Sequence, residues 1–281
     1  MIEQGGNYLR YLNELQDVDL SMSSQALSLL SQVMGFDVTD PVTEEQIDRS
    51  QRWIHGSQKR FFERSLCQLF GYLGGQAATQ LVAQGIQRHD GIDGFVTIDV
   101  GFLHTNGPVM YPEVKLRTMV PGASTLRESP FEHTSFLAGR GKDDPRVLTS
   151  RLARMLRRSG LDELPQPVYQ VPAGEMLLVG ARGYTEPELK GTEILIELSK
   201  NPHLRLPQAA RELLETYQRK VDRYNPKPSF TGLLQATTTK ETPHLVRMLG
   251  DIICWERSTP ATDFRIAMYT LRRRFEGVGA W

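Results

Sequence analysis

Apolar residues recur at helical spacing near both ends of this chain and alternate in a stretch at its centre. Tyr8, Leu12 and Leu15 mark a first helix over 7–16. A second is expected over 23–34, opened by serine and stopped by Gly35. A third covers 43–54, with Thr43 as cap and Gln46 three residues on. Residues 57–84 read as a longer helix whose broad apolar face is Phe61, Leu66, Leu69, Phe70 and Leu73. Gly74 and Gly75 mark a kink or a close approach within it, and Gly85 its end.

The period then changes to two. Over 95–102, Val96, Ile98 and Val100 fall on one side and Phe95, Thr97 and Asp99 on the other. Asn106-Gly107 is a hairpin turn signal, and 109–120 is the returning strand. Residues 121–143, rich in Gly, Ser and Pro, read as a long loop. A helix over 145–159 follows, capped by Asp144 and closed by Gly160. Residues 167–171 and 175–182 are expected as two further strands joined at 172–174, and 194–198 as strand or short helix. Residues 207–224 form an amphipathic helix with Ala210, Leu213, Leu214, Tyr217 and Val221 inward, and 243–256 and 262–275 are helical. The order predicts an α/β (mixed α+β) protein: a small central mixed sheet flanked by helices, with helical N- and C-terminal extensions. It divides into a helical N-terminal extension (1–56), an α/β core (57–200) and a helical C-terminal region (201–281).

Composition changes little in this picture. The 281 residues, 40% hydrophobic and 23% charged, suit a globular protein. No apolar run approaches the roughly 20 residues that span a bilayer, and MIEQGGNYLRYLNEL is not a secretory signal, so a cytoplasmic protein with no membrane partner is expected. Cys67 and Cys254 sit among apolar neighbours and are expected as buried free thiols. Thirty-three basic residues balance 33 acidic ones, so the total charge gives no evidence for nucleic-acid binding, although local clusters could.

The candidate chemistry lies on the hairpin. Glu113 and Lys115, at i and i+2, project from one face of the returning strand. Asp99 on the preceding strand, or Asp93 at its mouth between Gly91 and Gly94, could meet them across the hairpin. Carboxylates so gathered are the ligand type for Mg²⁺, and an adjacent lysine can orient an attacking water.

Asp93 in GIDGF, the hairpin, and Glu113-Val114-Lys115 in PEVK resemble the PD-(D/E)XK nuclease superfamily, with a helix carrying Glu63 before the hairpin and another after it. The resemblance covers about 57–183. It implies a Mg²⁺- (or Mn²⁺-) dependent endonuclease acting on nucleic acid, foremost DNA, in restriction, phage defence or mobile-element biology. Asp93 and Glu113 would hold the metal, with Asp99 the alternative ligand; Lys115 would assist the water, and Glu63 would be an accessory catalytic residue. Arg151, Arg154, Arg157 and Arg158 on the 145–159 helix, with Lys142 in the loop, could meet phosphates, or be a solvated face. A non-enzymatic assembly subunit of viral or secretion-system type is the alternative, and a nucleic-acid-binding module without catalysis a third reading. The apolar 243–275 segment could equally build a homo-oligomer or a protein complex.

Overall fold

The computed structural model describes residues 24–119, 150–201, 203, 207–233 and 244–275. Helices α1 (Ser24–Met34), α2 (Glu44–His55), α3 (Ser57–Phe70) and α4 (Gln76–Asp90) precede the hairpin β1 (Phe95–His104) and β2 (Gly107–Leu116). After it come α5 (Arg151–Ser159), a 3₁₀ turn (Leu161–Glu163), a π turn (Gln166–Gln170) running into a helical turn (Val171–Ala173), and the short strands β3 (Leu177–Val179) and β4 (Tyr184–Thr185). Then α6 (Glu186–Lys200), α7 (Gln208–Tyr224), β5 (Ser229–Thr231), α8 (His244–Arg257) and α9 (Pro260–Phe275) complete the order. This is a mixed α/β arrangement with a small central sheet flanked by helices and helical terminal extensions.

The sheet has the order β2-β1-β4, antiparallel throughout, and β3 pairs in parallel with β5 separately. Local signals placed much of this. Thr43 and Gln46 form the reciprocal capping box of α2. The hairpin closes at His104↔Gly107, where Gly107 takes a φ of 114° that a side chain would resist. Phe102, Tyr184, Tyr217, Tyr224 and Trp255 pack edge-on or stacked at the centre of the largest core, which joins the sheet to α2, α6, α7 and α8. Cys67 and Cys254 are buried free thiols, and burial pushes both up to about 12.

One expectation is overturned, and two are refined. Residues 166–173 are helical, not strand, and the Gln170 side chain takes the place of a neighbouring strand. Gln170 accepts from Val114 N at 2.8 Å and donates to Pro112 O at 2.7 Å, capping the free edge of β2. Residues 194–198 belong to α6, whose capping box is Thr185 with Glu188. The 57–84 helix is two helices, α3 and α4, joined by a π segment (Gly71–Gly75) in which Gly74 has φ 109°. The expected loop at 121–143 and the start of the 145–159 helix lie outside the described residues. Within them, α5 is capped by Ser150, whose Oγ accepts from Ala153 N at 3.1 Å.

Candidate functional site

Strand β2 delivers Glu113 and Lys115 to one face, as their spacing requires. Lys115 Nζ lies 3.4 Å from Glu113 Oε1 and 3.1 Å from Glu163 Oε1 on the 3₁₀ turn after α5. Gln166 Nε2 donates to Glu113 Oε1 at 2.6 Å, fixing that carboxylate from the next turn of chain. Gly160, left-handed at φ 68°, ends α5 so abruptly that Asp162 and Glu163 turn back onto the sheet. Arg182, in the segment linking β3 to β4, brings a second cation. Burial alone would lower its pKa, but the fields of Glu188, Glu113 and Glu163 raise it.

The electrostatics are uneven. Burial pulls the Lys115 ammonium down, but Glu163 and Glu113 more than reverse this, so it stays protonated. Asp162 is pushed up to about 6, first by burial and then by its neighbour Glu163, against the pull of Lys115 and Arg157. A carboxyl balanced near neutrality beside fixed cations marks a candidate functional group. Behind Arg182 lies a further polar layer. Tyr184 donates to Asp251 Oδ2 at 2.6 Å, and Arg247 pairs with Glu188 at 3.5 Å. Burial carries Asp251 up to about 7 even though Tyr184, Arg247 and Arg182 pull it down.

The other expected site residues lie elsewhere. In the hairpin register Ile98 faces Glu113 and Asp99 faces Pro112, so Asp99 projects from the opposite side of the sheet to Glu113 and Lys115. Asp93 precedes β1 by two residues and is exposed, its carbonyl accepting from Arg117 Nε at 3.1 Å. Five positions separate it from Ile98, Glu113's partner, about 16 Å along a strand, too far for one ion. Glu63 is buried in a separate cluster with Lys59 and Asp263, where it accepts from Val179 N at 3.1 Å. Among the described residues no group of three or more His, Cys, Asp or Glu is arranged to hold a metal. On α5, Arg151 is exposed and Arg157 reaches Thr118 at 3.5 Å. Arg154 is half-buried, its Nε without a hydrogen-bond partner among the described residues. The Arg158 side chain and Lys142 lie outside the described residues.

Sequence reasoning passed over Asp162, Glu163, Arg182 and Gln166. The available signal was Leu-Asp-Glu-Leu-Pro at 161–165, two adjacent acids immediately after an arginine-rich helix.

A family model described as bacterial sugar transferase matches residues 105–277, more than half of the chain, and spans every residue of the Lys115 cluster. No curated protein matches the chain. The match overturns the PD-(D/E)XK resemblance, and with it the Mg²⁺-dependent endonuclease, the DNA or other nucleic-acid partner, the binding module and the purely structural subunit. The physical reason is visible in the hairpin: acid–any–Lys fixes only two neighbouring side chains. The acids that complete the cluster come from the turn after α5, not from the mouth of β1. This chain belongs to the bacterial sugar transferase family.

Proposed function

We propose that this protein transfers a sugar phosphate at the cluster of Lys115, Asp162, Glu163 and Arg182, with a lipid-linked sugar as the product class. The carrying observation is the adjacent acid pair that the turn after α5 delivers to the sheet: Glu163 Oε1 lies 3.1 Å from Lys115 Nζ, and half-buried Asp162 is raised to about 6 beside it. Moving a sugar phosphate as a unit means displacement at phosphorus, where negative charge gathers on the phosphoryl oxygens. Lys115 and Arg182 supply fixed positive charge at that point, in a site where water screens them little. Desolvation makes the Asp162 carboxylate a stronger nucleophile than an ordinary aspartate. It attacks phosphorus, a carboxylate O–P bond forms, and the P–O bond to the leaving group breaks, the leaving oxygen keeping the electron pair. An anionic acceptor oxygen then displaces the carboxylate, which returns to its starting state. Glu163 and Glu113 hold Lys115 in place, and Gln166 holds Glu113.

By donor chemistry Asp162 and Glu163 suit Mg²⁺, a hard cation commonly held by one or two carboxylates together with substrate phosphates. When bound it would neutralise phosphate charge.

The test offers a panel of nucleoside-diphosphate sugars labelled in the sugar, with a long-chain isoprenoid phosphate, and counts label entering the organic phase. Asp162→Asn, isosteric and uncharged, is expected to lower transfer about 10³-fold or more with little change in thermal stability. Transfer that survives Asp162→Asn would remove Asp162 from the reaction, and absence of transfer with every donor would overturn the assignment.

A further inference from the structure

Helix α9 buries one side and leaves a second apolar side open. Thr262, Asp263, Ile266 and Thr270 are buried, and Thr270 Oγ1 meets Thr231 Oγ1 of β5 at 2.7 Å. On the opposite side Phe264, Met268 and Leu271 are 54%, 48% and 47% exposed. Their spacing of four and three residues lines them up along about 10 Å of one helix face. Exposed apolar residues scattered singly are ordinary, but a row of this spacing is how one helix anchors on another. α9 is not a spanning segment: among the described residues no helix is long and apolar enough to cross a membrane.

Helix α1 packs on α9. Leu30, Val33 and Met34 share a core with Ile266, and Arg265 donates to Met34 O at 2.8 Å. Residues 1–23, the chain immediately before α1, lie outside the described residues. Their sequence predicts a helix over 7–16, and its apolar residues Tyr8, Leu12 and Leu15 repeat the four-and-three spacing of the α9 stripe. The connection from that helix to α1 is 17–23, a length typical of links between helices that pack as neighbours. Fully extended it reaches about 25 Å, so the 7–16 stretch is held close to α9.

Charge and area both favour this occupant. Residues 1–23 contain Glu3, Glu14, Asp17 and Asp19 against a single base, Arg10. On α9, Arg265 and Arg272 each stand one position on from a stripe residue and are exposed. Three side chains fall far short of the roughly 800 Å² per partner that a stable pair of free proteins buries. A segment tethered to the same chain needs much less, because the tether holds it at a local concentration on the order of millimolar.

We propose that residues 7–16 dock as a helix on the Phe264–Met268–Leu271 face of α9, beside α1, with Tyr8, Leu12 and Leu15 inward. The segment is then a strap over the helix that carries Asp263 to the Lys59 cluster and Thr270 to β5. The inference uses none of the residues of the Lys115 cluster and stands whether or not the transferase reading does.

The test is the rate at which a maleimide labels Met268→Cys in the full chain. Cys67 and Cys254 are each 3% exposed and add little background. Labelling is expected to be at least about tenfold slower than in the same chain carrying Tyr8→Ser/Leu12→Ser/Leu15→Ser, with near-ultraviolet circular dichroism showing the aromatic core intact in both. Leu12→Cys/Met268→Cys, oxidised at low protein concentration, is expected to close a disulfide within one chain, a readout that does not depend on the serine variant. Equal labelling rates in the two backgrounds overturn the proposal, and so does a double-cysteine chain that closes no internal disulfide. A cross-link that forms only between chains overturns it in favour of a second copy, and protection that appears only when phospholipid vesicles are added overturns it in favour of lipid.

Discussion

Lys59 and Lys115 are both buried ammonium groups set between two carboxylates, yet their surroundings differ in ways that separate scaffold from site. Lys59 lies 3.3 Å from Glu63, contacts Asp263, and donates to Val179 O at 2.8 Å. Asp263 in turn accepts from Trp53 Nε1 and Ser258 Oγ, both at 2.9 Å. The three charged side chains are 1–6% exposed, and the cluster ties α3 to α9. In the Lys115 cluster the side chains of Lys115, Glu113 and Glu163 are 11–16% exposed, and a further acid, Asp162, sits raised to about 6 beside them. A closed, fully partnered ion cluster holds elements together. One with an extra carboxyl raised by burial and a path to solvent has the features of a candidate functional site.

The sharpest way to break this comparison is to remove each lysine. Lys59→Met strands Glu63 and Asp263 without their cation, and a loss of about 3–5 kcal/mol in urea unfolding is expected, with the folded fraction still transferring sugar phosphate. Lys115→Met should cost about 1–2 kcal/mol and lower transfer about 10²-fold or more. Equal stability losses with equal activity losses would abolish the distinction.

Asp251 tests the layer behind Arg182. Unfolded, it gives up its proton near 3.8, and folded near 7. Between those values the folded protein holds a proton that the unfolded chain has lost. Its contribution is therefore fully present below about pH 4, declines as pH rises, and is gone above about pH 7. The shift corresponds to roughly 4 kcal/mol, and Asp251→Asn, which can still accept from Tyr184, should flatten that much of the stability-versus-pH curve. An unchanged slope in urea titrations at pH 5, 6, 7 and 8 would show that Asp251 is not the group responsible.

The smallest effect is in the rate. Transfer should fall with pH below about 6, approaching tenfold per unit, as Asp162 gains its proton. A limb that stays at the same pH in Lys115→Met, although removing that cation should move it upward, would detach Asp162 from the Lys115 field.

The chain sequence, read by itself, determined what neighbours along the backbone settle. The capping box at Thr43 and Gln46, the hairpin turn before Gly107, the shared face of Glu113 and Lys115 and the mixed α/β class all follow from spacings of a few residues. Tertiary structure decided the rest. Periodicity shows that α3 has an apolar face but not that this face points outward, because burial depends on what the opposite stripe meets. Alternating apolar residues around Pro167 and Pro172 read as strand until Gln170 is seen bonding to the edge of β2. Asp99 and Glu113 are neighbours in the hairpin pattern, and one step of register puts them on opposite sides. Glu163 meets Lys115 from 48 residues away, through a turn that α5 delivers to the sheet. No local pattern encodes that meeting, since long-range contacts arise from how whole elements pack.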